Sequence, residues 1–292
     1  MNRLLEDLQH RTYMAIEAVE RSIATVRAIE GDEIVGYGTG FFVDSGILVT
    51  AHHLVDECSR IEVVYLGRRG EAKVIGYEDR WDIAFLSTSL SGYPMELHDG
   101  KPRVGAFILV SGYTFGSLSP SHSLGIVSCL GRKVRVRDRV VEDAIQTDAL
   151  VTPGMSGGPA VLLDKPRIVG MAIAVVAGYG PAYLAPSLWI ARLYYLLKRF
   201  GRVPRLRLGV ELAQIDGRLV VVRVVPGSSA YRAGIRCGDV VEAIDERPVR
   251  GLDDVWKAIY DVETVEKGYI DIYVRRSGSP YRVRVFLDPG LF

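Results

Sequence analysis

Side-chain amides are almost missing from this chain. Asn occurs once, at Asn2, and Gln three times, at Gln9, Gln146 and Gln214. Lys is scarce as well, with 7 against 29 Arg. Few heat-labile amides mark proteins from hot environments, so a thermophilic protein is expected. The three cysteines, Cys58, Cys129 and Cys237, are too few and too scattered for a disulfide framework or a Cys-based zinc site. They read as small hydrophobes in a reducing compartment. No charge sign dominates: 36 Lys+Arg against 35 Asp+Glu leave a formal net charge of +1, so nothing marks a nucleic-acid binder. No run of about 18 apolar residues could cross a membrane. The N-terminal stretch is charged throughout and lacks the apolar core of a signal peptide, so a cytoplasmic location is expected.

What is present is ordinary globular usage, with 48% hydrophobic residues in 292, enough for two domains. Residues 5–28 space their apolar positions by three and four and read as a helix. From 34 to about 176, short runs rich in Val, Ile and Phe alternate with Gly, Asp and Ser. Examples are 40–43, 47–49, 61–64, 83–86, 106–110, 125–127, 160–162 and 168–173. Many short strands at that spacing predict an all-β sandwich or barrel. Residues 187–200 are helical in pattern, with Ser187 as the expected N-cap, Gly201 as the C-cap and Pro204 beyond. The punctuation puts a domain boundary there. From about 203 the order reads strand, short helix, strand, a helix at 252–262, then strands at 268–275 and 281–287.

The stretch from Gln146 to Pro159 is where chemistry is expected. Ser156 lies among Gly154, Gly157 and Gly158. Glycines hold a serine in a tight turn and let backbone N–H groups converge on one point, as an oxyanion site requires. Gly154-Met155-Ser156-Gly157-Gly158 also fits the G-x-S-x-G elbow of α/β-hydrolases, whose triad runs Ser, acid, His. Here all five histidines (His10, His52, His53, His98 and His122) precede Ser156, which excludes that order. The order His, Asp, Ser survives. His52 and His53 stand at the end of the apolar run 47–51, where a buried strand would emerge. His98 and His122 lie in polar, Ser- or Gly-bearing stretches. The acid should be buried against imidazole Nδ1; Asp82, before the run 83–86, and Asp79 both qualify. The glycine-rich Gly36–Gly40 precedes a strand rather than a helix, so it reads as a barrel turn and not a phosphate loop.

Three separated segments resemble the HtrA/Deg family of trypsin-like serine proteases. Thr50-Ala51-His52-His53-Leu54-Val55 stands where that family has T-N-A-H-V-V, which selects His53. Asp82-Ile83-Ala84-Phe85-Leu86 resembles its D-L-A-V-L, and Gln146–Pro159 its Q-T-D-A…P-G-N-S-G-G-P. Gly112-Tyr113-Thr114-Phe115-Gly116, Gly125-Ile126-Val127-Ser128 and the segment 183–186 follow its intervening sequence. Met155 replaces the family's Asn, and His52 its Ala. The last ninety residues resemble a PDZ domain, in Leu208-Gly209-Val210, the segment 227–235 and the segment 238–244; Asp245-Glu246 stands in place of the usual N-G turn.

The resemblance implies a mainly β fold: a chymotrypsin-like double β-barrel protease domain followed by a small α+β PDZ domain. The expected division is an N-terminal helical segment at 1–28, the protease domain at 29–186, a linker helix at 187–202 and the PDZ domain at 203–292. The implied triad is His53, Asp82 and Ser156, with the oxyanion hole at the N–H groups of Gly154 and Ser156. The pocket for the residue before the cut bond (S1) would be walled by Leu150, Met171, Ala172 and Ile173. The PDZ groove would use Leu208, Gly209, Val210, Leu212, Val255 and Ile259 to hold a peptide C-terminus. The expected function is ATP-independent endopeptidase action on unfolded or damaged proteins, in a homotrimer, with no metal or organic cofactor. The competing expectation is a catalytically silent chaperone or scaffold on the same fold.

Overall fold

The structure, a computed structural model, describes residues 3–117, 119–137, 139–175, 180–204 and 206–289. The chain divides into two compact units, 1–198 and 199–292.

The first unit holds two closed six-stranded barrels. Barrel one consists of β1 (Ile23–Glu30), β2 (Glu33–Asp44), β3 (Ile47–Ala51), β4 (Arg60–Tyr65), β5 (Arg68–Glu78) and β6 (Ile83–Thr88). Barrel two consists of β7 (Phe107–Gly112), β8 (Ser121–Val136), β9 (Arg139–Thr147), β10 (Pro159–Leu162), β11 (Ile168–Val175) and β12 (Ala182–Pro186). The strand order is the same in both: first, second, third, sixth, fifth, fourth, with the fourth closing on the first. Closure leaves no open sheet edge. Each barrel is filled by its inward side chains. Val26, Phe42, Leu48, Val63, Ala84 and Leu86 belong to the first core. Ile108, Val110, Val127, Ile145, Val169 and Leu184 belong to the second.

The expected helix over 5–28 is shorter. Helix α1 (Arg3–Glu20) ends before β1, and Ile23, Ala24, Val26, Ala28 and Ile29 are buried strand residues. β-branched residues at 23, 25, 26 and 29 suit a pleated, buried strand better than a helix. Gly36–Gly40 also differ from expectation: they lie inside β2 rather than in a turn. Close approach explains them, since a Cβ on Gly38 would stand 2.2 Å from Leu54 Cδ2 and 3.0 Å from the Ser156 carbonyl oxygen.

Helix α2 (His52–Val55) is one turn at the end of β3. Helix α3 (Ser187–Phe200) forms over the expected residues, but it is part of the first unit up to Lys198 rather than a linker. Trp189, Ile190, Leu193, Leu196 and Leu197 make one buried stripe. Trp189 stacks on Trp81 at 4.1 Å, its indole N–H donates to Asp143 Oδ2 at 3.1 Å, and Tyr194 stacks on Phe85. The Ser187 hydroxyl donates to the His98 carbonyl at 2.8 Å instead of capping the helix.

The second unit is a sheet in the order β14 (Val210–Ile215), β15 (Arg218–Val224), β16 (Val240–Ile244), β18 (Tyr269–Arg276), β19 (Ser279–Phe286), with β17 (Arg247–Pro248) on β16 and a short pair of β13 (Leu206–Arg207) and β20 (Asp288–Pro289). Helix α4 (Ser229–Ala233) is capped by Ser228. The helix expected over 252–262 splits in two. Helix α5 (Leu252–Ile259) stops at Tyr260, and α6 (Val262–Lys267) restarts behind Asp261, whose carboxylate caps it by accepting from Glu263 N–H.

Candidate active site

Strand β3 delivers the histidines and β6 the acid, because the two strands are neighbours and pair Ala51 with Ile83. Helix α2 begins directly at His52. Asp82 follows the 3₁₀ turn Asp79–Trp81 and is left-handed, with φ 56° and ψ 40°. Asp is one of the few residue types that tolerates that region. The turn is held from outside by the stack of Trp81 on Trp189.

The result is a two-point grip. His53 Nδ1 lies 2.5 Å from Asp82 Oδ2, and the His53 backbone N–H donates to Asp82 Oδ1 at 2.8 Å. The Asp82 carbonyl accepts from His52 N–H at 2.9 Å. Asp82 is 0% exposed and the His53 side chain 13%. A buried carboxylate at Nδ1 fixes the ring tautomer and leaves Nε2 to handle protons. The rival pair also exists but does other work. His52 Nδ1 lies 2.8 Å from Asp79 Oδ1, and its ring is buried flat against Tyr77 at 4.1 Å.

Ser156 sits in a turn closed by Met155 N–H to Thr152 C=O and Gly158 N–H to Met155 C=O, both 2.9 Å. Gly157 has φ 85°, and a Cβ there would stand 2.0 Å from the Thr39 carbonyl and 2.4 Å from Thr50 Oγ1. Only glycine brings this turn so close to β2 and to the end of β3, which leads into the histidines. Two further bonds bind the barrels together at this point. Thr39 N–H donates to Ser156 C=O, and Thr39 Oγ1 donates to Gly154 C=O, each at 2.8 Å. The peptide planes that carry the Gly154 and Ser156 N–H groups are pinned through their carbonyls. Pro153 C=O accepts from Phe115 N–H at 2.9 Å, and Met155 C=O from Gly158 N–H. In a trans peptide the N–H points opposite its C=O, so both N–H directions are set.

Of the remaining histidines, His10 is exposed on α1, and His98 and His122 are held in the first unit by hydrogen bonds. His98 passes its backbone to Ile168. His122 joins Ser111 Oγ at 2.9 Å to Glu20 at 3.3 Å. That chain of Ser, His and carboxylate looks like a second relay, but Ser111 is 0% exposed and no substrate could reach it.

The expected S1 residues separate. Leu150 is 67% exposed, whereas Met171, Ala172 and Ile173 are buried. The Ala172 methyl faces the core of barrel two. Only its backbone meets the serine turn, accepting from Gly157 N–H at 2.7 Å and donating to Gly158 C=O at 2.8 Å. In the second unit β14 is an edge strand, with Val210 and Leu212 half-buried. Gly209 follows buried Leu208, whose carbonyl accepts from Ala230 N–H. Val255 and Ile259 share a helix face as expected, but at 1% and 0% exposure that face is packed inside the unit.

Sequence reasoning missed Thr39, Asp56 and Arg139. The Arg139 guanidinium, from the hairpin of β8 and β9, donates to His52 Nδ1 at 2.8 Å and pairs with Asp56 Oδ2. Those partners are 87 and 83 positions away, and no local pattern announces such a contact.

Comparisons with known proteins fit this geometry. Residues 38–171 match the trypsin-like peptidase domain, and residues 220–265 match the PDZ domain. A probable periplasmic serine endoprotease, DegP-like, of Chlamydia muridarum is 33% identical over 243 residues, covering 76% of this chain and 48% of that protein. The periplasmic pH-dependent serine endoprotease DegQ of Escherichia coli is 29% identical over 275 residues, covering 87% and 59%. The chain therefore spans about half the length of the curated relatives it matches. Among solved structures, the serine endoprotease from Yersinia pestis superposes with a TM-score of 0.68 at 24% identity, covering 94% of this chain and 96% of that one. The HtrA-type protease AlgW with decapeptide gives 0.73 at 23%, covering 94% and 97%.

Proposed function

Because this chain is a homologue of the DegP and DegQ serine endoproteases, with a trypsin-like peptidase domain and a PDZ domain, we propose that it cleaves peptide bonds with Ser156, His53 and Asp82. The observation that carries the reading is the buried Asp82 carboxylate gripping His53 at both Nδ1 and the backbone N–H. Ser156 Oγ attacks the scissile carbonyl carbon while His53 Nε2 takes its proton. Asp82 keeps the ring oriented and stabilises the imidazolium. The oxyanion is received by the N–H groups of Gly154 and Ser156. His53 then gives its proton to the leaving amine. Water, deprotonated by the same ring, releases the acyl group from Ser156.

Leu150, the exposed residue of the expected S1 set, carries no charge, so an apolar residue before the cut bond is favoured and a Lys or Arg there would be desolvated without a partner. Unfolded or damaged proteins are the substrate class. The PDZ unit takes peptide C-termini by strand addition at β14, and the protein works as a homotrimer. Three cysteines without a disulfide support a reducing cytoplasm for this chain, while the names of its relatives put those proteins in the periplasm; cell fractionation decides between the two. Scarcity of amides supports a thermophilic protein, and a melting temperature inside the mesophile range of about 45–65 °C would overturn that.

The test is Ser156→Ala on the full chain. Casein digestion should stop and a fluorophosphonate probe should label only the wild type, with no more than about 10³–10⁴-fold acceleration over water left. Labelling that persists in the variant overturns the assignment. Mapped cuts that fall mostly after Lys or Arg overturn the apolar S1 pocket.

A further inference from the structure

We propose that Arg139 is a positioning residue for the His53–Asp82 pair, a clamp from the second barrel on the two loops of the first that carry the base and the acid. The inference rests on the reading of Ser156, His53 and Asp82 given above.

The hairpin of β8 and β9 is paired out to Val136 and Arg139, beside its tip. From there one guanidinium meets both ends of α2 and the start of the turn that leads into Asp82. Nη2 pairs with Asp56, the residue that ends α2. Nη1 is 2.8 Å from Nδ1 of His52, the residue that begins it, and 3.4 Å from Asp79 Oδ1. His53 is therefore held between two residues that Arg139 touches, and Asp82 lies three positions beyond a third. Tyr77 of β5 closes the other face of the His52 ring. These groups, with Val55, Glu57 and Val74, line a cleft of about 410 Å³.

The charges argue for the same role. Asp56, Asp79 and Asp82 crowd into two short segments, and Arg139 faces them from the second barrel. Burial works against its charge, but Asp79, Asp56 and, more weakly, Asp82 outweigh that and hold the guanidinium above its ordinary value. His52 Nδ1 lies between the Arg139 N–H and the Asp79 carboxylate. The contact with Arg139 anchors His52 next to the base without making it a base. None of the contacts involves an S1 or PDZ residue, so loss of the clamp should act on turnover and not on substrate binding.

The experiment measures kcat and KM for an apolar fluorogenic peptide from pH 5 to 9, with the full-length wild type and four variants: Arg139→Ala, Arg139→Lys, Asp79→Asn and Ser156→Ala. Circular dichroism monitors folding. Arg139→Ala should lower kcat by about 10–100-fold with KM within about twofold, as expected for a misaligned catalytic group. It should also move the acid limb of kcat/KM upward, by about half a pH unit, because a cation has left the field of Asp82. Arg139→Lys should keep the acid limb, since the charge stays, and recover only part of kcat, since the two-pronged fork is lost. Asp79→Asn should move the limb the opposite way, downward, and this keeps the proposal falsifiable should Arg139→Ala fail to fold. A merely structural role predicts no such pair of opposite shifts. A kcat/KM of Arg139→Ala within twofold of wild type, a change in KM alone, or limbs that move together in Arg139→Ala and Asp79→Asn overturns the proposal. Ser156→Ala separates the two failures: if it is silent while the Arg139 variants are normal, only the clamp is wrong. An inactive wild type, or an active Ser156→Ala, overturns the site and the clamp together.

Discussion

Two adjacent histidines, each with an Asp oxygen close to Nδ1, distinguish this site. His53 and His52 each meet an Asp at Nδ1, at 2.5 and 2.8 Å. Only His53 is bound to a fully buried acid through two atoms, while the His52 ring is spent on Tyr77 and Arg139. His53→Ala should therefore cost several orders of magnitude in kcat, on the scale of about 10⁴ or more for a lost triad member. His52→Ala should keep measurable turnover. Steady-state kinetics on the two variants check this, and the reverse ranking would shift the base by one residue. Gly157 gives a second residue-scale prediction. Alanine there meets Thr39 C=O at 2.0 Å at a φ of 85°, so Gly157→Ala should lose more than about 1–2 kcal/mol of stability together with activity. Thermal melts would read the first and casein digestion the second.

Elements rather than residues set the rigidity of the acid loop. Helix α3 packs Trp189 on Trp81, both fully buried, one residue before Asp82. Trp189→Ala removes that stack and leaves a cavity, which should cost about 3–5 kcal/mol. A denaturant titration of Trp fluorescence would measure it, and a loss below 1 kcal/mol would mean that the loop does not lean on α3. In the second unit, β18 and β19 are tied by Asp271, which accepts from Arg284 at 2.9 Å and from Arg282 at 2.6 Å. Arg284, helped by Arg282, overcomes the opposing effect of burial and lowers the Asp271 carboxyl to about 2. A depressed folded value means stability that is present above the unfolded value of about 3.9 and disappears as pH falls through 2. Asp271→Asn should therefore be less stable than wild type at pH 6, and the two should converge between pH 4 and 2. Urea unfolding followed at each pH would show the convergence; a constant difference would refute the ion pairs as its source.

For the molecule as a whole, the barrels and the PDZ unit are separate compact bodies of one chain, and the function proposed for the second is recognition of a peptide end. A peptide ending in Val should bind with a Kd no tighter than about micromolar, near 8 kcal/mol. Its C-terminally amidated twin should bind at least about tenfold more weakly if the backbone N–H groups at 208–210 receive the carboxylate as proposed. Isothermal titration of both on the full chain checks this. Equal binding would remove the carboxylate site. Val255 and Ile259 are packed inside the unit, so a ligand that used them would have to displace part of that packing, and the exchange of α5 amides should change on binding.

The sequence by itself determined whatever depends on local pattern or on a motif of adjacent residues. Short apolar runs between glycines became strands of two barrels, because runs too short for a buried helix fit strands buried on both faces, as in β6 and β10. The stripe of 189, 190, 193, 196 and 197 became α3, because a 3.6-residue period aligns it. The glycines around Ser156 and the apolar run behind Asp82 made these two residues candidates for nucleophile and acid, with Asp79 still a rival until the resemblance favoured Asp82. Only the tertiary structure decided what depends on distance along the chain. It ended α1 at Glu20, since Ile23 and Val26 are worth more inside barrel one than in an exposed helix. It placed Gly38 inside a strand, where Leu54 and the Ser156 carbonyl leave no room for a side chain. It turned the Ala172 methyl into the core and closed Val255 and Ile259 inside theirs. It brought Thr39 to Gly154 across 115 positions and Arg139 to His52 across 87. The physical reason is common to all of these. Periodicity records which face of an element is apolar, but a lone polar side chain carries no mark of its partner until barrel closure sets the two within hydrogen-bonding distance.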